Sequence, residues 1–255
     1  MTDTNGFSLV ELAVVLVVLG LLASGLLAPL EVQLESRDRA LAVKQLEQAR
    51  EALHGFAMRN GRLPCPDTDG DGRADPTFDP ARKTTANCTR LEGALPGVEL
   101  GVPTLDPWGQ RLRYRVAARF TWPDSDGLCN GNTQQELDLC SQGDIEIHGR
   151  GDNPATVGVQ EGKFDFLIAS EVPALVWSGG RNATVAGQGA SAIGADEVAN
   201  RDGDSRFVFR VYSAAQPGCS DAAGEGVPVC EFDDLGVWLS PYALFERMVA
   251  ARRLP

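Results

Sequence analysis

The chain has 255 residues, 23 basic and 35 acidic side chains, and a formal net charge of −12. Its length and its 43% hydrophobic content exclude a wholly disordered chain and a small disulfide-held peptide, because they suffice for a sizeable core. The acidic balance disfavours a general nucleic-acid-binding role, which needs a basic field to neutralise phosphates. One or two domains are expected.

An uncharged apolar segment runs for 19 residues from Leu12 to Leu30. As a helix rising about 1.5 Å per residue, it matches the hydrocarbon core of a bilayer, so we expect a transmembrane helix. A cleaved secretory signal peptide is the main alternative. That alternative is weakened because residues 1–6 contain no Lys or Arg and the apolar run exceeds the usual length. Glu11 abuts the run, where a carboxylate needs a partner or an interfacial position.

Residues 6–12, Gly-Phe-Ser-Leu-Val-Glu-Leu, followed by the apolar run, resemble the class III signal of type IV pilins and type II secretion pseudopilins. The resemblance implies that prepilin peptidase cuts between Gly6 and Phe7 and N-methylates Phe7. It also implies that Glu11 pairs with the N-terminal ammonium of a neighbouring subunit, an attraction that a low dielectric strengthens. The leader departs from the family pattern because it has Asp3 and no basic residue.

An amphipathic pattern extends the helix beyond the apolar run. Its apolar positions follow spacings of three and four residues, and they are Ala42, Leu46, Ala49, Leu53 and Phe56. Because Gly61 and Pro64 are helix-ending residues, the sequence predicts one helix from Phe7 to Arg59, about 80 Å long. Pro29 is expected to kink or locally melt this helix, since proline removes a backbone hydrogen bond.

The remaining residues, 61–255, carry 18 basic and 28 acidic side chains. Apolar or alternating segments between turn residues predict strands at 111–116, 145–148, 164–170, 174–178 and 206–212. Arg111, Arg113 and Arg115 alternate with apolar residues in the first strand. They are interpreted as solvent-facing, with a contact stripe for acidic neighbours as the alternative.

Ser240-Pro241 predicts the N-cap and first residue of a short C-terminal helix. Through Arg253 this helix would present one apolar face, made of Leu244, Phe245, Met248 and Val249. The predicted fold class is α+β: a long N-terminal helix packed on an antiparallel sheet, with a short C-terminal helix. The resemblance makes this fold pilin-like. The predicted organisation is a cleaved leader at 1–6, a transmembrane and filament-core helix at 7–30, its amphipathic extension at 31–60 and a globular head at 61–255.

All six cysteines lie in the head, a distribution typical of an oxidising compartment. Six cysteines allow 15 connectivities. Local pairing, which closes Gly- and Asp-rich loops, favours the disulfides Cys65–Cys88, Cys129–Cys140 and Cys219–Cys230. Zinc is disfavoured because no two cysteines have the short ligand spacing and the chain has 2 His. The head is therefore expected to be periplasmic or extracellular.

An acidic loop at 67–75 is the main candidate metal site. It places possible calcium ligands at EF-hand-like positions, namely the carboxylates of Asp67, Asp69, Asp71 and Asp75 and the backbone carbonyl of Arg73. Phe78 stands where an EF-hand has its bidentate Glu and no second helix is evident, which disfavours a true EF-hand; Asp79, at the next position, is the candidate substitute for that Glu. The alternative interpretation is a solvated acidic turn.

Two further segments are similar to pseudopilin motifs: residues 106–109, Asp-Pro-Trp-Gly, and residues 232–238, Phe-Asp-Asp-Leu-Gly-Val-Trp. The second makes Asp233 and Asp234 weaker candidates for calcium binding. This head is longer than that of a typical major pseudopilin and adds the cysteines and the final helix, so the chain is not simply equated with that subunit.

The predicted function is that of a structural subunit, not an enzyme, assembled into a type II secretion pseudopilus or a type IV pilus. Its expected partners are prepilin peptidase, other pilin or pseudopilin subunits, the inner-membrane assembly platform and the inner membrane itself, with the head in the periplasm before assembly. A membrane-tethered, calcium-dependent adhesion or ligand-binding protein that never enters a filament is the alternative. Nucleic acid is not an expected partner, although Arg247, Arg252 and Arg253 cluster near the C-terminus.

Overall fold

The computed structural model describes residues 9–79, 84–122, 137–149, 166–183, 194–221 and 228–254, without the side chains at 20–31, 77–79, 84–87 and 166. The chain divides into two compact units, Met1–Leu41 and Ala42–Pro255. We call them the N-terminal unit and the head unit. The structure is α+β, with an N-terminal helix, an antiparallel sheet and a short C-terminal helix.

Helix α1 (Leu9–Asn60) extends through all described residues of the N-terminal unit into the head unit. Its backbone remains helical on both sides of Pro29, so the prediction of local melting is wrong there. The helix ends one residue beyond the predicted Arg59. Gly61 has a φ of +70° and its N–H donates to the carbonyl oxygen of Ala57 at 2.8 Å, as a left-handed C-cap requires.

The part of α1 in the head unit buries the predicted apolar stripe. Its members are Ala42, Leu46, Ala49, Leu53 and Phe56. A four-stranded sheet packs on this face, with the strand order β3 (Glu92–Ala94), β4 (Arg113–Val116), β7 (Ala174–Ser178) and β9 (Leu235–Trp238). Neighbouring strands in this sheet are antiparallel, and its buried side chains join α1 in the larger hydrophobic core.

The sequence predicted one antiparallel sheet, but the described strands form three sheets. A second sheet has the order β6 (Phe166–Val172), β5 (Ile145–Gly149) and β8 (Arg206–Val208), and its β5–β8 pair is parallel. It carries a separate small core that includes Ile147, Trp177 and Phe207. Strands β1 (Pro76–Asp79) and β2 (Thr84–Cys88) form a two-stranded sheet.

The strand predicted at 206–212 ends at Val208 in the structure. Arg210 explains the early end, because its side chain turns inward to ion pairs with Asp196 at 2.6 Å and Asp221 at 3.3 Å. Both carboxylates are fully buried. If the strand continued past Val208 with Arg210 facing solvent, Asp196 and Asp221 would lose the buried cation that pairs with them, which is unfavourable.

The C-terminal helix α4 (Pro241–Ala250) begins at the predicted residue. Leu244 and Met248 are buried, whereas Val249 is exposed and does not share their face. The helix ends before Arg253, whose guanidinium instead donates to the carbonyl oxygens of Met58 and Arg59 at the end of α1. The remaining helices are short: α2 (Gly97–Leu100), the 3-10 helix Ala118–Thr121 and α3 (Ala195–Ala199).

One member of the arginine stripe is not solvent-facing. Arg115 is buried and lies 3.6 Å from Glu92 and 3.7 Å from Asp144. Arg111 and Arg113 remain exposed but also contact acidic groups, Asp67 at 3.6 Å and Glu92 at 2.5 Å. The stripe therefore makes its acidic contacts within the chain.

Two disulfide bonds join Cys65 to Cys88 and Cys219 to Cys230, which are two of the three predicted pairs. Cys140 is also disulfide-bonded. Cys129, its predicted partner, lies outside the described residues.

Candidate functional site

The acidic loop at 67–75 folds around its own carboxylates. Asp67 is buried and accepts backbone N–H groups from Gly70 at 2.6 Å and Gly72 at 2.9 Å. Asp75 accepts the hydroxyl of Thr68 at 2.6 Å and its N–H at 2.6 Å, and these hydrogen bonds lower the pKa of Asp75. The loop conformation is thus stabilised by internal hydrogen bonds to carboxylates.

Three of the predicted ligands in this loop come together. Asp67, Asp69 and Asp71 each present an oxygen within 4.8 Å of the others. Arg111 lies beside them, with Nη1 at 3.6 Å from Asp67 and at 3.0 Å from the carbonyl oxygen of Gly70. A protein cation therefore already neutralises part of the charge that a metal would meet. The side chains of the other two residues considered, Phe78 and Asp79, lie outside the described part of the chain.

A second group of carboxylates is fully buried. Asp233 and Asp234 precede β9, and Glu197 lies on α3. Each of these three residues is 3% exposed or less, and their oxygens lie within 4.8 Å of one another. We call these three residues the buried acidic triad.

Hydrogen bonds fix each member of the buried acidic triad. Glu197 accepts the backbone N–H of Asp233 at 2.8 Å and the amide of Asn182 at 2.9 Å. Asp234 accepts the amide of Asn200 at 2.8 Å and lies 3.5 Å from Arg201. Arg201 thus contributes a positive charge beside Asp234.

Burial and mutual repulsion determine the charge of the triad. Burial, followed by the charge of Asp234, raises the pKa of Glu197 to about 8. Burial also raises the pKa of Asp234 to about 6, although the hydrogen bond from Asn200 opposes the shift. The triad therefore holds a proton near neutral pH or needs further positive charge, and oxygen ligands of this kind suit calcium.

The Asp-Pro-Trp-Gly segment at residues 106–109 forms a turn that is hydrogen-bonded to the end of β7. Asp106 accepts the N–H groups of Trp108 at 3.0 Å and Gln110 at 2.8 Å, and the hydroxyl of Ser178 at 2.6 Å. Ser178 in turn accepts the N–H of Gly180 at 3.1 Å. These contacts give Asp106 a structural role at the start of the β4 segment.

The N-terminal unit carries the assembly residues predicted from the sequence. Glu11 lies in the first turn of α1 and is exposed. The side chains that surround it along the chain are also exposed, with 86% for Leu9 and 70% for Val10. Gly6 and Phe7, the predicted cleavage site, lie outside the described residues.

The predicted membrane span at 12–30 lies on α1. Within the described part of the chain, no helix contains a stretch that is both long and apolar enough to cross a membrane. The side chains of residues 20–31, which include most of the predicted span, are outside the described part.

Residues 1–27 match a family model described as the prokaryotic N-terminal methylation motif. The chain carries the class III prepilin signal of type IV pilins and pseudopilins. No curated protein and no solved structure is significantly similar to it.

The prepilin signal has direct consequences for processing and assembly. It marks the chain as a prepilin-like substrate of prepilin peptidase, and such substrates are structural proteins of the pilin type. It also implies assembly with other pilins. It also suggests insertion into a membrane followed by assembly in a filament. The resemblance identified in residues 6–12 is therefore confirmed.

Sequence reasoning missed Glu197 as a member of the buried acidic triad. It found Asp233 and Asp234 as adjacent acids in a pseudopilin-like segment, but Glu197 lies 36 residues before Asp233. The local sequence around Glu197, Gly-Ala-Asp-Glu-Val-Ala-Asn, has no metal-ligand spacing. Only the tertiary fold brings α3 to the start of β9.

Proposed function

We propose that this prepilin-like protein is a structural subunit of a helical filament, as a pseudopilin of a type II secretion pseudopilus or a minor pilin of a type IV pilus. The observation that carries the proposal is the prepilin signal at residues 1–27, which leads directly into the 52-residue helix α1. The pilin-like character of the head is supported by the burial of the amphipathic end of α1 against an antiparallel sheet.

In this proposal the N-terminal unit carries out membrane insertion and assembly. Residues 7–30 lie in the inner membrane as a single span, with the head in the periplasm, until the assembly platform extracts them. The three disulfide-bonded cysteine pairs expected for the head suit that oxidising compartment. Head-to-tail contacts, in which two different surface patches of neighbouring subunits meet, then extend a filament because the rotation does not close into a ring.

In this proposal Glu11 forms the charge-paired contact between neighbouring subunits of the filament. Cleavage between Gly6 and Phe7 creates a new ammonium group at the N-methylated Phe7. A glutamate on the neighbouring subunit that pairs with this ammonium offsets the cost of placing both charges in an apolar environment. Glu11 occupies the first turn of α1, four residues after Phe7, which keeps its carboxylate close to the start of the mature chain.

Replacement of Glu11 tests the assembly role. In cells that contain the secretion or pilus machinery, we expect Glu11→Leu to abolish recovery of the subunit in sheared filaments and to leave the melting temperature of the head unchanged. Glu35→Leu is the matched control, since it removes a glutamate from the same helix outside the prepilin signal. Normal filament incorporation of Glu11→Leu would refute the assembly role of Glu11, whereas surface binding by a chain that never polymerises would favour the tethered adhesion protein.

Calcium binding to the head is a second part of the proposal. The buried acidic triad is the better supported site, because all three of its carboxylates are buried within 4.8 Å of one another, whereas Asp69 and Asp71 of the 67–75 loop are exposed. A divalent cation at the triad would replace the proton that burial otherwise favours. The stabilisation expected from calcium at 100 times its Kd is about 2.7 kcal/mol.

Paired variants distinguish the two acidic sites. We expect calcium to raise the melting temperature of the full chain by about 5 °C relative to chelator-treated protein. Asp234→Asn should remove this increase and Asp69→Asn should retain it. The reverse pattern would assign calcium to the 67–75 loop, and an unchanged melting temperature in the wild-type protein would refute calcium binding at both.

A further inference from the structure

A cavity of about 460 Å³ in the head unit is lined by three arginines, and its other lining residues among those described are uncharged. The arginines are Arg111, Arg113 and Arg201. This is unexpected in a chain with 35 acidic and 23 basic residues. The volume lies in the range of small-molecule sites. We propose that this cavity, which we call the arginine cavity, binds an oxyanion of the carboxylate or phosphate type.

Strand geometry places two of the arginines. Arg113 on β4 lies directly opposite Trp177 on β7, and its guanidinium carbon is 5.6 Å from the centre of the indole ring. Such a cation–π contact holds the planar guanidinium over the ring. Arg111 lies two residues earlier, and since side chains alternate along extended backbone, both arginines lie on the same face.

Arg201 enters the cavity from a different segment, just after α3. Its Nη2 is positioned by the side chain of Asn182 at 3.3 Å and by Asp234 at 3.5 Å. Its Nη1 is buried and has no hydrogen-bond partner among the described residues. Nη1 itself does not open onto the cavity, but the Arg201 side chain is 23% exposed and its Nη2 lies beside Gly179 in the cavity lining, where it can donate to an oxyanion.

A glycine keeps the space around Arg201 open. A Cβ at Gly179 would lie 3.0 Å from the Cβ of Ala183 and 3.4 Å from Nη2 of Arg201. Gly179 and Ala183 both line the arginine cavity. A larger side chain at either position would therefore compete with a ligand for the space beside the guanidinium.

The carboxylates that pair with the two strand arginines lie on the other side of those arginines. Asp67 contacts Arg111 at 3.6 Å and Glu92 contacts Arg113 at 2.5 Å. Both acids line a neighbouring cavity, and neither lines the arginine cavity. The three guanidinium groups can each donate five N–H bonds, so donors remain after these ion pairs are made.

The chemistry of the walls defines the ligand class. Guanidinium groups match carboxylates and phosphates through paired, charge-assisted hydrogen bonds. Trp177, Leu105 and Ala183 add apolar surface beside them. The ligand is thus an oxyanion with a compact body, supplied either by a free solute or by an acidic side chain of another protein.

Titration of the full chain in a neutral detergent tests the site. We expect citrate, inorganic phosphate or a hexaglutamate peptide to change the tryptophan fluorescence saturably at low ionic strength. Arg113→Gln and Arg201→Gln should each weaken that binding by about tenfold or more, because each loses charge-assisted hydrogen bonds. Arg113→Lys should recover only part of the affinity, since it retains the charge without the planar fork.

Arg50→Gln is the matched control for Arg113→Gln. Arg50 also forms an exposed ion pair at 2.5 Å, with Glu47, but it does not line the arginine cavity. Its replacement should leave the affinity unchanged. Tighter binding of the peptide than of citrate and phosphate would identify a protein as the source of the oxyanion, and the opposite order would identify a free solute. The proposal is overturned if no probe binds saturably below about 10 mM, or if Arg50→Gln weakens binding as much as Arg113→Gln.

Discussion

The two ends of helix α1 differ in apolar content and in environment: residues 12–30 carry no charge, whereas the part in the head unit is amphipathic. In the N-terminal unit, large apolar side chains such as Leu16 are 61% exposed, whereas Leu53 in the head unit is fully buried. In the head unit, the apolar stripe of α1 is buried against other parts of the chain. In the N-terminal unit, the described apolar side chains remain exposed, and under our proposal they are covered first by the membrane and then by neighbouring subunits of the filament. One continuous helix therefore contributes to folding at one end and to assembly at the other.

The largest expected difference between the two ends concerns stability. Leu53→Ala should lower the free energy of unfolding of the head by about 2–5 kcal/mol, because it creates a cavity in the core. Leu16→Ala, the same substitution on the same helix, should change it by less than about 0.5 kcal/mol, since the side chain is exposed. Denaturant unfolding of the full chain, followed by head tryptophan fluorescence, measures both. Equal losses would show that the N-terminal unit packs as the head does.

The pH dependence of the head's stability is a smaller effect, and it tests the buried charges that distinguish the head unit from the N-terminal unit. Burial raises the pKa of Glu197 from its ordinary value of 4.5 to about 8, so the folded head retains a proton that the unfolded chain loses above pH 4.5. The stability that this retained proton contributes is fully present below pH 4.5 and is lost as the pH rises toward 8. In calcium-free buffer we expect a loss of about 1–3 kcal/mol between pH 5 and pH 8.

The variant Glu197→Gln should flatten this pH dependence. Glu246→Gln, which removes an exposed carboxylate on α4, should leave the slope as in the wild-type protein. Urea unfolding at several pH values gives the slopes directly. A wild-type stability that stays constant or rises over this interval would contradict the protonation assigned to the buried acidic triad.

Features encoded by local patterns could be predicted from the sequence. The prepilin signal is a contiguous motif, the stripe from Ala42 to Phe56 follows helical periodicity, and Pro241 marks the start of α4. The pairs Cys65–Cys88 and Cys219–Cys230 followed from their short separations of 23 and 11 residues. Each of these signals lies within a segment that can be read without the tertiary fold.

Features that depend on distant segments could not be predicted in this way. The parallel pairing of β5 with β8 joins residues 60 positions apart, such as Ile147 and Phe207, and periodicity carries no information on partner or direction. Hydropathy places acids in solvent, so the burial of Glu197 and of the acids around Arg210 was not anticipated. Their burial depends on partners that only the folded head brings together.

The N-terminus of the mature chain is the most direct test of the central claim, that this protein is processed as a prepilin and assembled. Intact-mass and N-terminal peptide mass spectrometry should be carried out on protein from cells with and without active prepilin peptidase. We predict a chain that begins at N-methylated Phe7 when the peptidase is active, and residues 1–6 retained when it is absent. A mature chain that starts elsewhere, or the same N-terminus in both strains, would contradict the account.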